Sequence, residues 1–283
     1  MKDPLFKPQK FCYVIPVGKP RKRHKQLALP KLDKNGQHRG GARAGAGRKP
    51  KDGIKRARRA EPHKARPLGK PRFPRHAVLR VLPVIGNLRK RHLYSALRIA
   101  TIAIALRELA YDDVNGAFRI VHISIQKTHI HMLVEADSKL AMSRGMQRFM
   151  ISAAKHINRA FSDKMGLAER RRGAVFADRY HQEIIETPRQ ARHALSYVLN
   201  NWRKHREDRR PGAEASEVDP FSTGAHFMGW RERADEVVSR GRDIYEPLIV
   251  YFPKTWLLRE GWRKAGTISF YEVPSAPRVT TKA

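Results

Sequence analysis

From His76 onward the chain switches repeatedly between two hydrophobic periods. Over residues 76–82, HAVLRVL, Ala77, Leu79 and Val81 fall on one face and His76, Val78 and Arg80 on the other, the period of two that marks a half-buried strand. A helix follows, with Asn87 as its cap and an end near Ala110. Leu93, Leu97, Ala100 and Ile104 form one stripe on it, and Ile99, Ile102, Leu106 and Leu109 a second, so much of its surface is expected to be buried. Asn115-Gly116 marks a turn. Residues 118–126 alternate again, with Val121, Ile123 and Ile125 facing one way and Ile120, His122, Ser124 and Gln126 the other. After Lys127 and Thr128, HIHMLVEA (residues 129–136) reads as a third strand, hairpin-paired with the second.

Met142, Met146, Phe149, Met150, Ala153, Ile157 and Phe161 then recur at three- and four-residue steps, predicting a second long helix that ends near Gly166. The basic loop ERRRG (169–173) leads into a fourth strand over 175–186. Thr187, Pro188 and Gln190 supply a hydroxyl cap, a proline at the first helical position and the partner of a capping box, which fixes the start of a third helix. The order strand, helix, strand, strand, helix, strand, helix predicts an α+β fold: a ferredoxin-like four-stranded antiparallel sheet with two helices on one face. The third helix is left for the other face.

Composition changes the picture at the N-terminus. The 283 residues carry a formal charge of +33, and residues 1–75 alone hold 24 Lys or Arg against 4 Asp or Glu, a net +20. That stretch is rich in Pro and Gly and poor in spaced apolar residues, so it reads as a basic arm that cannot bury enough surface to fold. Within it GGARAGAGRKPK (40–51) suits a nucleic-acid backbone or minor groove, and the apolar patch 11–17 is a candidate docking strand. Such an excess of cations points to a polyanionic partner, nucleic acid first. A single cysteine, Cys12, excludes an internal disulfide framework and a cysteine-based zinc module, and suits a reducing compartment. With no membrane-length apolar run and no signal-peptide pattern, a cytoplasmic protein without a membrane partner is expected.

The candidate chemistry lies on the third strand and third helix. His129 and His131 are two apart, so both imidazoles leave one face of the strand while Ile130, Met132 and Val134 point into the helix-covered core. Two adjacent imidazoles can hold one metal ion, although a lone His-x-His also occurs on polar faces that bind nothing. On the third helix, His193, Tyr197, Asn201 and Lys204 form a polar stripe opposite Ala191, Ala194, Leu195, Val198 and Trp202. Packing of that apolar stripe lays Tyr197 and Asn201 along the sheet face of the histidines. Tyr180, beside Arg179, is the competing tyrosine, with burial as its expected role.

HIHMLVE (129–135), FADRYH (176–181) and YVLNN (197–201), in this order, resemble the single-tyrosine HUH transposases, the IS200-like transposase domain, and within them the REP-associated tyrosine transposases of bacteria. The likeness covers residues 74–206. It implies a strand-transfer enzyme in which Tyr197 is the nucleophile and His129, His131 and Asn201 hold Mg²⁺ or Mn²⁺, with Asn201 standing where some members have Gln. The implied reaction passes through a 5′-phosphotyrosine on single-stranded DNA, often a hairpin or palindrome, in the bacterial cytoplasm and at the nucleoid. Some relatives are homodimers that exchange the tyrosine helix. Arg80, Arg179 and the loop Arg170, Arg171 and Arg172 are the expected DNA-backbone contacts, and His193 is a candidate accessory to tyrosine ionisation. On this reading residues 1–75 are the arm, 76–206 the catalytic domain and 207–283 a C-terminal extension. In that extension 210–225 is loop and 253–266 a short helix with Trp256, Leu257 and Trp262 packing inward. Two other classes remain: a domesticated hairpin-binding protein without activity, and a general basic RNA-binding protein, which the scarcity of aromatics on the polar sheet face disfavours.

Overall fold

The alternating segments become strands, and the 3.6-residue segments cover them. The computed structural model describes residues 66, 69–110, 117–209, 217–232 and 245–274. The apolar patch at 11–17, the basic stretch at 40–51, Cys12 and the Asn115-Gly116 turn lie outside the described residues. In chain order the elements are β1 (Arg75–Arg80), α1 (Arg91–Ala110), β2 (Phe118–Ile125), β3 (His129–Ala136), α2 (Lys139–Met165), β4 (His181–Ile184), α3 (Pro188–Leu199), α4 (Asn201–Lys204) and α5 (Trp256–Arg259). The sheet order is β2-β3-β1-β4 with every pair antiparallel, the ferredoxin-like arrangement expected from element order.

Both sheet faces are covered. On one, Ala77, Leu79, Ile123, Ile125, Ile130, Met132 and Val134 meet Leu93, Leu97, Ala100 and Ile104 of α1 and Met142, Met146, Phe149, Ala153 and Ile157 of α2. Gly145 lets α2 descend onto β2, because any side chain there would overlap the Phe118 ring. On the other face, Val121, Leu133 and Ile185 meet Ala191, Leu195, Val198 and Leu199 of α3, together with Phe227, Leu257, Leu258, Trp262 and Ile268. No described helix is long and apolar enough to cross a membrane.

Several sequence expectations are corrected locally. The register shifts between Ile120 and His122, a β-bulge that turns Ile120 toward α1 and α2 and sends Val121 to the α3 face, the reverse of strict alternation. The fourth strand is confined to His181–Ile184. Upstream, Phe176 makes only an isolated bridge with Val81, and the chain leaves the ladder over 177–180. Asn87 accepts from the Arg89 amide and caps a preceding turn, while α1 begins at Arg91. The second stripe of α1 is only partly covered, with Ile99 44% and Leu106 61% exposed and Ile102 half-buried. Tyr180 lies in the α1/α2 core beneath the Arg66 guanidinium, and burial raises its pKa. Arg66 also donates to the Tyr180 carbonyl, so chain before residue 76 is already tied to the folded part.

The C-terminal segments are structural. The backbone amide of Ile125 donates to Phe221, that of Thr223 to Ile123 and that of Tyr251 to Ile120, so the outer margin of β2 is paired by later chain. Asp219 holds Arg89 through two hydrogen bonds of 2.7 and 3.0 Å, and Arg89 also donates to the Ile125 carbonyl. Glu135, fully buried at the end of β3, accepts from the amides of Lys254 and Thr255, from the Thr255 hydroxyl and from Arg119, and so fixes the entry to α5. Leu257 and Trp262 pack inward as expected, whereas Trp256 remains 45% exposed.

Candidate functional site

Strand register assembles a cluster of rings on the α3 face of the sheet. His131 stands opposite Val78 and His129 opposite Arg80, with His76 of β1 on the same face. The imidazole centroids of His129 and His131 are 4.7 Å apart, and those of His76 and His131 5.2 Å. His76 Nε2 lies 3.0 Å from His131 Nδ1. Thr128 Oγ1 is 3.2 Å from Nδ1 of His129, and the ring of His205, just after α4, approaches His129 at 5.6 Å.

The third helix delivers the phenol to this cluster. Its start is held by reciprocal bonds: Thr187 Oγ1 accepts from the Gln190 amide at 3.2 Å, and Gln190 Oε1 accepts from the Thr187 amide at 3.1 Å. Its apolar side lies on Val121, Leu133 and Ile185. The Tyr197 ring then sits edge-on to His131 at 5.1 Å and to His76 at 5.7 Å between centroids. The Lys204 ammonium is 4.8 Å from the centre of the same tyrosine ring.

A second set of bonds holds α3 from outside. Glu272 accepts two hydrogen bonds from Arg192, at 2.5 and 2.6 Å, and one from Ser196 at 2.9 Å. Asn200 Nδ2 donates to the Ser269 carbonyl, and Arg203 Nε to the Phe270 carbonyl. Residues 192, 196, 200 and 203 form one stripe along the helix and its continuation, all gripped by 269–272. His193, one turn before Tyr197, is exposed.

Asn201 is not on the tyrosine helix. The helix ends at Leu199, Asn200 has φ −105 and ψ 11, and Asn201 opens the short α4. Its side chain is fully buried, and among the described residues neither amide atom has a hydrogen-bond partner; Nε2 of His131 is likewise buried and unpartnered among them. Each such orphan costs about 1–3 kcal/mol unless something satisfies it. The electrostatics favour neutral imidazoles. Burial lowers the pKa of His76 to about 4, with Glu183 opposing and His181 adding, and burial with His205, Arg80 and Lys204 lowers His129 to about 4. His131 is pushed far below the ordinary imidazole range by burial and by its histidine neighbours.

Neutral imidazoles, a bare buried nitrogen and an unbonded carboxamide are donors suited to a divalent ion. Among the described residues no group of three His, Cys, Asp or Glu forms a metal cluster, so a cation here would need a donor of another kind beside the histidines. Of the expected backbone-binding arginines, Arg80, Arg170 and Arg172 are exposed, Arg80 on the histidine face. Arg170 donates to the Lys155 carbonyl, while Arg171 bonds Asn158 and the Ala174 carbonyl, so both also tie the loop to α2. Arg179 is half-buried beside Asp178 in the irregular segment before β4.

His76, Lys204 and His205 complete the cluster. His76 was legible only as a polar-face residue of β1. The signal for its proximity is that β1 and β3 are neighbours in this topology, which places a polar-face histidine of one beside that of the other.

No curated protein matches the chain. A solved structure described as a REP-associated tyrosine transposase bound to a REP hairpin is similar over 58% of this chain and 82% of that chain, at 20% identity and a TM-score of 0.36. Residues 97–201, which run from within α1 to Asn201 and include both strand histidines and Tyr197, match the family of IS200-like transposases.

Proposed function

We propose that this protein is a metal-dependent DNA strand transferase of the transposase type, acting on single-stranded DNA folded as a hairpin or palindrome. The observation that carries the reading is the approach of the Tyr197 ring to His131, whose Nε2 is buried and unbonded among the described residues; Asn201, four residues after Tyr197, carries a carboxamide that is likewise buried and unbonded. His129, His131 and Asn201 would hold the ion. Mg²⁺ or Mn²⁺ bound there supplies Lewis-acid polarisation of the scissile phosphate.

Tyr197 is the attacking group. Its phenolic oxygen bonds to phosphorus while the bond from phosphorus to the 3′ oxygen breaks; the phenolic proton leaves to solvent or a base, and the departing oxygen is protonated to a free 3′-OH. The product is a 5′-phosphotyrosine, which conserves the phosphodiester energy for rejoining. Lys204, against the tyrosine ring, and Arg80, on the same sheet face, offer positive charge to the phosphates flanking the scissile one. The positioning of α3 by residues of its own chain supports a tyrosine that serves the site of the same subunit.

The test is a denaturing gel of the full chain with Mn²⁺ and single-stranded hairpin DNA. A covalent protein-DNA adduct is expected, abolished by Tyr197→Phe and strongly reduced by His129→Ala with His131→Ala. Hairpin binding without adduct under every metal condition would favour a binding protein descended from such an enzyme. Preference for RNA over hairpin DNA, again without adduct, would overturn the reading.

A further inference from the structure

We infer that His76 is a positioning residue: it holds the His131 ring, by a nitrogen-to-nitrogen hydrogen bond, in the tautomer that leaves His131 Nε2 bare for the metal. The inference rests on the metal-site reading above and adds a role for a residue that neither the His-x-His pattern nor the matched segment 97–201 contains.

The two rings are nearly parallel, at 24°, with centroids 5.2 Å apart, yet the nitrogens are only 3.0 Å apart. The rings therefore meet edge to edge along the line joining the nitrogens, as a hydrogen bond requires, and do not stack face on face. One proton serves this contact, and its location has consequences at the far side of His131. If it sits on His76 Nε2, a neutral His131 must carry its own proton on Nε2, a buried N–H with no acceptor among the described residues. If it sits on His131 Nδ1, donating to His76 Nε2, then His131 Nε2 presents a lone pair in the buried position that no donor among the described residues reaches.

Only the second arrangement gives the orphaned atom a use. It is also the relation commonly seen at metal sites, where the ring nitrogen that is not a ligand donates to a neighbour that fixes tautomer and orientation. His76 itself is positioned for this. It pairs with Leu133 in the β1–β3 ladder and with Glu183 in the β1–β4 ladder, so strands on both sides fix its backbone. The Glu183 carboxylate acts on its ring from β4, together with the His181 imidazole. The Tyr197 ring closes the cluster, 5.7 Å from His76.

The experiment uses the full chain, labelled with ¹⁵N-histidine, in two measurements. In metal-free protein the nitrogen shifts of His131 should show Nδ1 protonated and Nε2 bare. In DNA-free protein, titration with Mn²⁺ followed by electron paramagnetic resonance gives the affinity. His76→Phe keeps a ring but removes the acceptor; it should move the His131 proton toward Nε2 and weaken Mn²⁺ binding about 10-fold or more. His76→Gln, whose amide oxygen can accept from Nδ1, should recover most of the loss.

Wild-type affinity and an unchanged tautomer in folded His76→Phe would overturn the inference, as would a wild-type His131 protonated on Nε2. Should His76→Phe fail to fold, the wild-type tautomer and the response of His76→Asn, too short to reach, decide in its place. If wild-type protein binds no Mn²⁺, or if His129→Ala with His131→Ala leaves binding intact, the metal reading falls. The tautomer measurement needs no metal and still reports on His76.

Discussion

Replacing Glu272 with Ala tests how the tyrosine helix is held. The carboxylate accepts two bonds from Arg192 and one from Ser196, and it is the only described acidic side chain hydrogen-bonded to α3. Hydrogen bonds to a charged group contribute about 1.5–3 kcal/mol each when well buried. Here the side chains are 16% and 27% exposed, so solvent screens part of the attraction. Neighbouring bonds from Asn200 and Arg203 keep the segment docked. The expected loss is about 2 kcal/mol, read by urea denaturation as a midpoint about 1 M lower for an m-value near 2 kcal/mol/M.

Arg192→Ala with Glu272→Ala should cost less than the two single changes added, with a coupling of at least about 1 kcal/mol. The pH dependence adds a control. Burial alone would raise the Glu272 pKa, but hydrogen bonds from Arg192 and Ser196, with the charges of Arg192 and His193, hold it below its usual value. Its stabilising effect is therefore complete above an unfolded-state pKa near 4.3 and disappears as pH falls through the lower native value. A loss below about 0.5 kcal/mol, or strict additivity of the pair, would refute the clamp.

Four further outcomes are expected. Thr187→Ala removes one half of the capping box and should destabilise by about 1 kcal/mol in urea, with Ser in the same position retaining most of it. Gly145→Ala drives a methyl group into the Phe118 ring and should lower stability by about 3 kcal/mol, seen as a reduced melting temperature. Glu135→Ala leaves Arg119 and the Lys254 and Thr255 amides without their shared acceptor and should cost about 3–5 kcal/mol, with faster proteolysis of the C-terminal segments. His122, buried with its pKa lowered to about 4 by burial and by His226, remains neutral in the native state down to acid. Stability should therefore fall as pH drops from 6.5 toward 4, and His122→Gln should flatten part of that slope in denaturation measured across this range.

Element order and both long helices were legible because period two and period 3.6 are imposed by burial on one side only, and Thr187 with Gln190 announces a helix start by local chemistry alone. The bulge at Ile120 and His122 was not legible, since both Ile120 and Val121 are apolar and either can face either core. Trp256 and the outer stripe of α1 show the converse: helical spacing of apolar residues states which side chains share a face, and only packing states whether the face is covered. Of the candidate site, the nearness of His129 and His131 follows from strand geometry, and that of Tyr197 from helix patterning. The contribution of His76 needed the pairing of β1 with β3, and the break at Asn200 that moves Asn201 onto α4 is marked only by two asparagines of low helix propensity inside a continuing apolar pattern.

The pairing of β2 by Phe221, Thr223 and Tyr251 has a consequence for biogenesis. Among the described residues, a sheet bordered by its own downstream chain offers an incoming strand only the four-residue border of β4, a short landing place for growth into aggregates. That protection arrives late in synthesis. A nascent or truncated product ending near residue 206 would carry the whole catalytic candidate with a raw flank along β2, and it should precipitate where the full chain stays dispersed.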